Sequence, residues 1–165
     1  MSAPGTAATS RGKIVSIEAA LSWRQRLTAP LVFTNGVFDL LHPGHVDYLE
    51  AARSLGGHLI VGVNTDRSAR ALGKGSGRPI LDQAARARVL AGLASVDRVV
   101  LFDEPTPLDL ITALAPDVLV KGGDYTRESI VGAAEVERRG GRVVVIPLTA
   151  GYSTTDLVER CRAAT

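Results

Sequence analysis

Two histidines in the segment His42-Pro43-Gly44-His45 have the type and spacing to bind an anion. They lie three residues apart, so in the first turn of a helix their imidazole rings share one face. Pro43 favours a helix start here, because a proline at the first helical position sacrifices no hydrogen bond within the helix. The backbone N–H groups and the positive dipole end of that helix add to the attraction. The segment therefore predicts a cationic pocket for phosphates, most simply those of a nucleotide.

The elements that must position this motif alternate between strand and helix along the chain. Apolar runs predict five strands at Leu31–Thr34, His58–Val63, Arg98–Phe102, Val118–Val120 and Arg142–Pro147. Helices, two of them capped by Ser16 and Asp82, are predicted over Ile17–Leu27, Gly44–Leu55, Gln83–Leu93, Leu108–Leu114, Arg127–Arg138 and Thr154–Arg162. Continuously apolar strands are typical of sheets that are covered on both faces. The sequence therefore predicts an α/β, Rossmann-like three-layer sandwich around a five-stranded parallel sheet.

The bulk composition predicts one globular domain in the cytoplasm. A chain of 165 residues with 45% hydrophobic and 22% charged residues is large enough to bury a substantial core. We expect residues 1–12 to be a disordered lead and residues 13–165 to form the single domain. The net charge of +2, without a basic stripe, argues against nucleic acid as a partner. No apolar run approaches the roughly 18 residues that a membrane span needs, and the single cysteine, Cys161, fits a reducing cytoplasm.

Further candidate ligand-binding residues follow the predicted strands. In parallel α/β sheets, ligands gather at the carboxyl ends of the strands. Lys121 ends one strand and offers a positive charge to a phosphate, and Gly122 after it lets the backbone approach a ligand closely. Asp124 fits three roles, as a ribose contact, a metal contact or a turn residue. Asn64 and Asp66 follow another strand and are candidates for substrate contact, although Asn-Thr-Asp is also a common turn.

The last predicted helix begins with three hydroxyl side chains, Ser153, Thr154 and Thr155. At a helix start such residues hold phosphates with hydroxyl and N–H groups, and they also serve as ordinary N-caps. The glycine-rich loop Leu72–Ile80 is expected to be mobile and to close over the site. Basic side chains of this loop and of the following helix are candidates to bind a substrate phosphate: Arg78, Arg86 and Arg88. A basic helix face is equally typical of a solvated surface.

The spacing excludes several other kinds of nucleotide and metal site. Gly73-Lys74 is followed by Gly75, so the chain lacks a kinase-type P-loop. The same glycines neither follow a strong strand nor open a helix, which excludes a dinucleotide-binding turn. No His, Cys and Asp residues have the spacing of a structural metal site, so we expect no metal held by the protein alone.

Four motifs, in this order, resemble the H-x-G-H nucleotidyltransferase superfamily. They are Thr34-Asn35-Gly36-Val37-Phe38-Asp39, His42-Pro43-Gly44-His45, Lys121-Gly122-Gly123-Asp124-Tyr125 and Gly151-Tyr152-Ser153-Thr154-Thr155. The likeness covers nearly the whole chain from about Leu31 onward. Within the superfamily, the chain is most similar to the heptose 1-phosphate adenylyltransferases, which occur alone or fused to a sugar kinase.

The resemblance implies a strand order of 3-2-1-4-5 and a site where the first and fourth strands part. It implies transfer of AMP from ATP to a heptose 1-phosphate, with His42, His45 and Lys121 stabilising the triphosphate. Mg²⁺ would arrive with ATP, held chiefly by the phosphates. The partners would be these small molecules, and dimers are common among such relatives. The residues expected to contact the nucleotide are Thr34, Asn35, Gly36, Phe38, Gly44, Arg53, Gly122, Asp124, Ser153, Thr154 and Thr155.

Two alternatives are open at this stage. Glycerol-phosphate cytidylyltransferases carry an arginine–threonine pair ahead of their last motif, where this chain has Leu148-Thr149. The missing arginine argues against that branch, but a cytidylyl- or guanylyltransferase for another phosphorylated sugar or alcohol is the first alternative. The second is a non-catalytic nucleotide-binding module, because a fold does not by itself fix a function. The intact motif set argues against this second alternative.

Overall fold

Five parallel strands run through the centre of the protein in a single sheet. The computed structural model describes residues 9–73, 77–123 and 125–163. The strands are β1 (Leu31–Gly36), β2 (His58–Asn64), β3 (Arg98–Phe102), β4 (Val118–Gly122) and β5 (Arg142–Ile146). Their order across the sheet is β3-β2-β1-β4-β5, and every neighbouring pair is parallel. The predicted strands and their order are therefore confirmed.

Helices connect the strands and cover the sheet. The α-helices are α1 (Ile17–Arg24), α2 (Pro43–Ser54), α3 (Asp66–Ala71), α4 (Gln83–Ala91), α5 (Leu108–Leu114), α6 (Ala133–Arg138) and α7 (Thr154–Ala163). Short 3-10 helices span Ser10–Lys13 and Arg127–Ser129. Ser16 and Asp82 cap α1 and α4 as predicted, accepting hydrogen bonds from the N–H groups of Ala19 and Ala85. In the described part of the chain, no helix has the length and apolar content to cross a membrane.

Apart from helix ends, which differ by up to three residues, the helix prediction differs from the structure in two places. The single helix expected over Arg127–Arg138 is wrong, because Gly132 interrupts it. Gly132 has a φ of +85°, and a Cβ at this position would lie 2.7 Å from Ile111 Cδ1. The prediction also omits α3, which Thr65 caps by accepting a hydrogen bond from the Ser68 N–H group. A helix of 6 residues is too short for apolar periodicity to reveal it.

The end of the expected lead contacts the rest of the protein. Residues 1–12 were predicted to be a disordered lead, but Ser10–Lys13 form a 3-10 helix. Arg88 of α4 donates a hydrogen bond to Ser10 Oγ at 2.6 Å, and Lys13 Nζ donates one to the Leu93 carbonyl at 2.9 Å. Residues 10–13 therefore pack against α4 and the segment that follows it, while residues 1–8 of the expected lead lie outside the described residues.

Alternate residues of the central strand pack into two separate apolar layers. Val32 of β1 faces one layer, where Leu49 of α2 covers the sheet together with α4. Its neighbours Leu31 and Phe33 face the opposite layer, where Ile111 of α5 packs together with α1 and α6. Because successive side chains of a strand point to opposite faces, this burial confirms the predicted three-layer sandwich.

The chain reverses its winding direction between β1 and β4. From β1 it continues through α2 to β2 on one side, and from β4 it continues through α6 to β5 on the other. A crevice opens at the carboxyl ends of the strands at such a switch point, and parallel α/β folds bind ligands there. The loop after β1, the end of β4 and the starts of α2 and α7 all reach this edge of the sheet.

Truncation of a core side chain tests this layered packing. Leu119 of β4 is 0% exposed and packs in the layer that contains α5. We expect Leu119→Ala to lower the free energy of unfolding by about 2–5 kcal/mol, because it removes buried contacts and leaves a cavity. Urea denaturation measures the loss, with Val89→Ala as the control, since Val89 is 45% exposed. A loss below about 1 kcal/mol for Leu119→Ala would contradict this packing.

Candidate active site

An open cleft of about 950 Å³ lies at the carboxyl edge of the sheet, where β1 and β4 part. It brings together residues from all four motifs, which are far apart in the sequence. The predicted site residues that line it are Asn35, Gly36, Phe38, His42, Gly44, His45, Asn64, Arg78, Lys121, Gly122, Ser153, Thr154 and Thr155. The predicted residue Asp124 lies outside the described residues.

His42 and His45 form a stacked pair at the start of α2. Their ring centroids are 3.8 Å apart, and their planes differ by 28°. Burial lowers the pKa of His42, and burial together with the neighbouring His42 lowers the pKa of His45 to about 4. Both imidazoles are therefore neutral at neutral pH. The histidines supply neutral hydrogen-bond donors to the pocket, and its positive charge comes from other groups.

A backbone contact assigns the proton of His45 to one ring nitrogen. Nδ1 of His45 accepts a hydrogen bond from the backbone N–H group of His42 at 3.3 Å. A neutral imidazole has one protonated nitrogen, so the proton lies on Nε2. His45 thus presents an N–H donor rather than a basic nitrogen, which suits a phosphate oxygen and does not suit a general base.

Lys121 brings positive charge to the end of β4. Its Nζ donates a hydrogen bond to Asn35 Oδ1 at 2.6 Å and lies 6.0 Å from the ring centroid of Tyr125. Asn35 is in β1, so this contact joins the two strands that part around the cleft. Lys121 therefore brings an ammonium group, held by a neighbouring strand, to the cleft that the histidine pair also lines.

Tyr152 packs beside the histidine pair, a contact that the sequence analysis missed. Its ring centroid lies 5.9 Å from that of His42, with 15° between the planes. Gly44 makes this packing possible, because a Cβ there would lie 3.2 Å from both His42 Nδ1 and Tyr152 Cβ. A larger residue at position 44 would displace the His42 ring or the segment that leads into α7.

The hydroxyl residues at the start of α7 line the same cleft. Ser153 Oγ accepts a hydrogen bond from the Asp156 N–H group at 3.4 Å, as an N-cap does. Thr154 Oγ1 donates to the Leu40 carbonyl at 3.4 Å, which joins α7 to the loop before α2. The first N–H groups of a helix have no partner within it, so the starts of α2 and α7 both offer anion-binding groups to the cleft.

Asp39 anchors the segment that carries Arg78. Its Oδ2 accepts a hydrogen bond from Arg78 Nε at 2.6 Å, and its Oδ1 accepts from the N–H groups of Ile80 and Leu81. Burial would raise the pKa of Asp39, but these N–H groups and Arg78 outweigh it and lower the pKa. An ionised Asp39 thus holds Arg78 at the cleft. Residues 74–76 of the expected mobile loop lie outside the described residues.

Five of the predicted site residues do not line the cleft, among them Thr34, Arg53 and Arg88. Arg53 pairs with Asp97 at 3.0 Å, and it lies about 12 Å along the axis of α2 from His45. Arg88 contacts the N-terminal 3-10 helix, as described above. Thr34 is 0% exposed, and its Oγ1 lies 2.6 Å from the hydroxyl oxygen of Tyr48. Arg53 and Arg88 have partners away from the cleft, and Thr34 is buried against Tyr48, so the structure does not place these three side chains in the cleft lining.

Arg86 and Asp66, which were predicted to contact the substrate, lie beneath the cleft rather than in its lining. They form an ion pair at 2.8 Å, and the side chain of Arg86 is 0% exposed. Asn64 does line the cleft, but its Nδ2 donates to Ser68 Oγ at 2.7 Å. The end of β2 and the start of α3 are therefore held together by polar contacts among their own residues.

Phe38 and Tyr48 shape the floor of the cleft. Phe38 has a φ of +50°, and its ring centroid lies 5.7 Å from that of His45. The Tyr48 hydroxyl donates to the Val120 carbonyl at 3.3 Å. Gly122 is required beside it, because a Cβ there would lie 3.0 Å from the Tyr48 ring. Tyr48 is not among the predicted site residues, although it lies three residues after His45 and therefore on the same helix face.

Comparison with known proteins assigns the family. A family model described as cytidylyltransferase-like matches residues 33–160, a range that contains all four motifs. The chain belongs to the cytidylyltransferase-like family. This membership confirms the predicted superfamily and the predicted class of enzyme, a nucleotidyltransferase that uses a nucleoside triphosphate.

Relatives of this cytidylyltransferase-like chain include the bifunctional protein HldE of several bacteria. The protein of Acidiphilium cryptum is 59% identical over 146 residues, which are 88% of this chain and 30% of the relative. The protein of Rhodopseudomonas palustris is 50% identical over 166 residues, which are 98% of this chain and 34% of the relative. The chain therefore spans about a third of the length of these relatives.

Solved structures share the architecture of this cytidylyltransferase-like chain. The lipopolysaccharide core biosynthesis protein of Thermoplasma volcanium has a TM-score of 0.60 and 31% identity, covering 73% of this chain and 97% of that one. The pantoate–β-alanine ligase of Francisella tularensis has a TM-score of 0.57 and 15% identity, covering 90% of this chain and 76% of that one. The second likeness shows the fold alone.

The lowered pKa of His45 makes stability depend on pH in a defined direction. Between the ordinary value of 6.5 and the folded value of about 4, the unfolded chain binds a proton that the folded protein excludes. Stability is therefore full above about pH 6.5 and falls as the pH drops towards 4. We expect the free energy of unfolding to fall between pH 7 and pH 5, and His45→Gln to remove part of that fall. Equal falls for the wild type and His45→Gln in urea denaturation would contradict the buried neutral imidazole.

Proposed function

We propose that this nucleotidyltransferase transfers AMP from ATP to a heptose 1-phosphate, giving ADP-heptose and pyrophosphate. The observation that carries the transfer chemistry is the stacked, neutral histidine pair at the start of α2, in the same cleft as Lys121. The motifs that resemble heptose 1-phosphate adenylyltransferases support the donor and the acceptor. Relatives named HldE at 50% and 59% identity, and a relative named for lipopolysaccharide core biosynthesis, support a sugar phosphate as the acceptor.

The reaction depends on position and charge stabilisation rather than on a base. The acceptor phosphate is already anionic at neutral pH, so one of its oxygens attacks the α-phosphorus of ATP without losing a proton first. A new P–O bond forms, the bond from the α-phosphorus to the bridging oxygen breaks, and the electron pair leaves with pyrophosphate. Neutral N–H donors such as the Nε2–H group of His45 suit this chemistry.

The histidines act where negative charge develops. His42 and His45 donate hydrogen bonds to the α- and β-phosphate oxygens, and Lys121 adds positive charge from the end of β4. Because the ring of His45 is fixed by the His42 N–H group at 3.3 Å, and Lys121 by Asn35 at 2.6 Å, these donors need little reorganisation during the reaction. The start of α7 holds the β- and γ-phosphates through Ser153, Thr154 and Thr155.

The acceptor phosphate is assigned to the side of the cleft that carries Arg78. Asp39 binds the Nε of this arginine at 2.6 Å, which orients the planar guanidinium group. Among the contacts of the described residues, its terminal nitrogens are not used, so they suit bidentate binding of a phosphate. Arg78 thus supplies a second cation to the cleft that the histidines line.

Mg²⁺ is proposed to enter with ATP. Within residues 9–73, 77–123 and 125–163, no group of three or more His, Cys, Asp or Glu side chains could hold a metal ion. Asp39, the carboxylate among the described residues of the cleft lining, is already bound to Arg78 and two N–H groups. Triphosphate oxygens and water are ligands that Mg²⁺ prefers, and the ion would neutralise part of the phosphate charge.

Pyrophosphate release tests the proposed reaction. The protein is assayed with ATP, CTP, GTP or UTP, and with either anomer of D-glycero-D-manno-heptose 1-phosphate or with glycerol 3-phosphate. We expect release with ATP and one heptose phosphate. Release with CTP and glycerol 3-phosphate alone would assign the chain to the cytidylyltransferase branch, and ATP binding without release with any acceptor would favour a non-catalytic module.

Removal of either imidazole tests the proposed role of the histidine pair as hydrogen-bond donors to the phosphates. We expect His42→Ala and His45→Ala each to lower kcat by about 10²–10³-fold, the effect of removing a preorganised donor. Circular dichroism and thermal melts check that both variants fold. His58→Ala is the control, since the third histidine of the chain lies at the start of β2, at the opposite end of that strand from the cleft. Wild-type turnover in folded His42→Ala or His45→Ala would refute this role.

Replacement of Lys121 tests whether its positive charge stabilises the transition state or the bound ATP. We expect Lys121→Ala to lower kcat at least about tenfold while KM for ATP stays within about threefold, because the charge matters most in the transition state. Lys13→Ala is the control, since Lys13 Nζ contacts the Leu93 carbonyl and not the cleft. An effect of Lys121→Ala confined to KM for ATP would contradict this assignment.

A further inference from the structure

Arg86 of α4 is a buried cation that no step of the proposed reaction uses. Its side chain is 0% exposed, and all three nitrogens of its guanidinium group donate hydrogen bonds. Nε donates to the Leu81 carbonyl at 3.0 Å, and Nη1 donates to the Val37 carbonyl. Nη2 donates both to the Asn64 carbonyl and to Asp66 Oδ1, each at 2.8 Å.

These acceptors belong to three chain segments that border the cleft. Val37 lies between β1 and the histidine motif, Leu81 follows Arg78 by three residues, and Asn64 ends β2. Val37 and Asn64 line the cleft, whereas Arg86 does not. The buried guanidinium group of Arg86 therefore joins the segment before the histidine motif and the end of β2 to the segment that follows Arg78.

An arginine suits this task because its planar group carries five N–H donors in a fixed arrangement. Only one of its acceptors, Asp66, is a carboxylate, and the others are backbone carbonyls. Replacing a buried ion pair by apolar residues of similar volume is often neutral or stabilising, so the pair by itself does not explain why an arginine is buried here. The contribution of Arg86 therefore lies in geometry, since it holds three carbonyl groups in fixed positions relative to one another.

We propose that Arg86 is a positioning residue that sets the spacing between the His42–His45 pair and Arg78. The inference rests on the proposed function, in which these groups hold the two reacting phosphates. Transfer requires the attacking oxygen within about 3–3.5 Å of the phosphorus, and a misplacement of about 1 Å costs about 10²-fold in rate. Loss of the Arg86 contacts therefore lowers kcat much more than it weakens the binding of ATP.

Replacement of Arg86 by lysine removes the planar group and keeps the positive charge. We expect Arg86→Lys to lower kcat at least about tenfold, with KM for ATP within about threefold of the wild type. The matched control is Arg88→Lys on the same helix, because Arg88 contacts Ser10 and does not line the cleft. Its kinetic constants are expected to stay within about twofold. An unchanged kcat in Arg86→Lys, or a change confined to KM for ATP, would overturn the proposal.

A double-mutant cycle tests whether Arg86 acts through the Arg78 segment. If it does, the fold losses in kcat of Arg86→Lys and Arg78→Ala do not multiply when the two changes are combined. Losses that multiply would show that the two arginines act independently, which contradicts the proposal. The pair Arg88→Lys and Arg78→Ala serves as the control, and its loss is expected to equal that of Arg78→Ala alone.

Hydrogen exchange gives a readout that does not require turnover, so failure of the proposed reaction is distinguished from failure of this inference. The N–H groups of Ile80 and Leu81, which donate to Asp39, are expected to exchange at least about tenfold faster in Arg86→Lys. The N–H groups of β3 are expected to keep wild-type rates. Unchanged exchange at Ile80 and Leu81, or equally faster exchange throughout the protein, would overturn the positioning role.

A second variant keeps the test decisive if Arg86→Lys does not fold. Asp66→Asn leaves Arg86 in place and removes the charge of its carboxylate partner, which is 21% exposed. We expect exchange at Ile80 and Leu81 to rise at least about threefold in this variant, with β3 unchanged. Wild-type exchange at both positions in folded Asp66→Asn would overturn the proposal.

Discussion

The position of α2 is the constraint on which the rest of the site depends. The Tyr48 hydroxyl bridges the Thr34 hydroxyl of β1 and the Val120 carbonyl of β4, in the place where these strands part. Burial raises the pKa of Tyr48 to about 12, so the hydroxyl keeps its proton and remains a donor. Because His45 lies one turn before Tyr48, this buried contact also holds the histidine pair over the switch point of the sheet.

In this cleft, the oriented neutral hydrogen-bond donors and the positively charged groups belong to different side chains. Two protonated imidazoles 3.8 Å apart would repel each other, and burial already disfavours their charge, so the stacked pair is stable as neutral donors. Positive charge comes instead from Lys121 and Arg78, each held by a polar partner, Asn35 and Asp39 respectively. The starts of α2 and α7 add oriented N–H groups without any ionisable side chain. A triphosphate thus meets fixed donors and separate cations.

The three arginines show that residue type and spacing do not by themselves identify which side chains reach the cleft. Arg78, Arg86 and Arg88 are neighbours in sequence and were predicted together as substrate contacts. Only Arg78 lines the cleft, while Arg86 is buried beneath it and Arg88 contacts the N-terminal 3-10 helix. Nothing in the local pattern separates a buried arginine from a solvated one, since that distinction depends on carbonyl groups from the loop after β1, the end of β2 and the segment after α3.

The sequence by itself determined the five strands, their parallel arrangement and the placement of the histidine motif at a helix start. These follow from local apolar runs and from the chemistry of proline and glycine, which act over a few residues. Only the tertiary structure decided which polar side chains face the cleft, that the imidazoles are neutral, and that Gly132 divides an expected helix. Those outcomes depend on burial and on contacts between segments far apart in the chain, such as Arg86 with Val37 and Tyr152 with His42. A local sequence pattern does not indicate which distant segments of the chain come into contact.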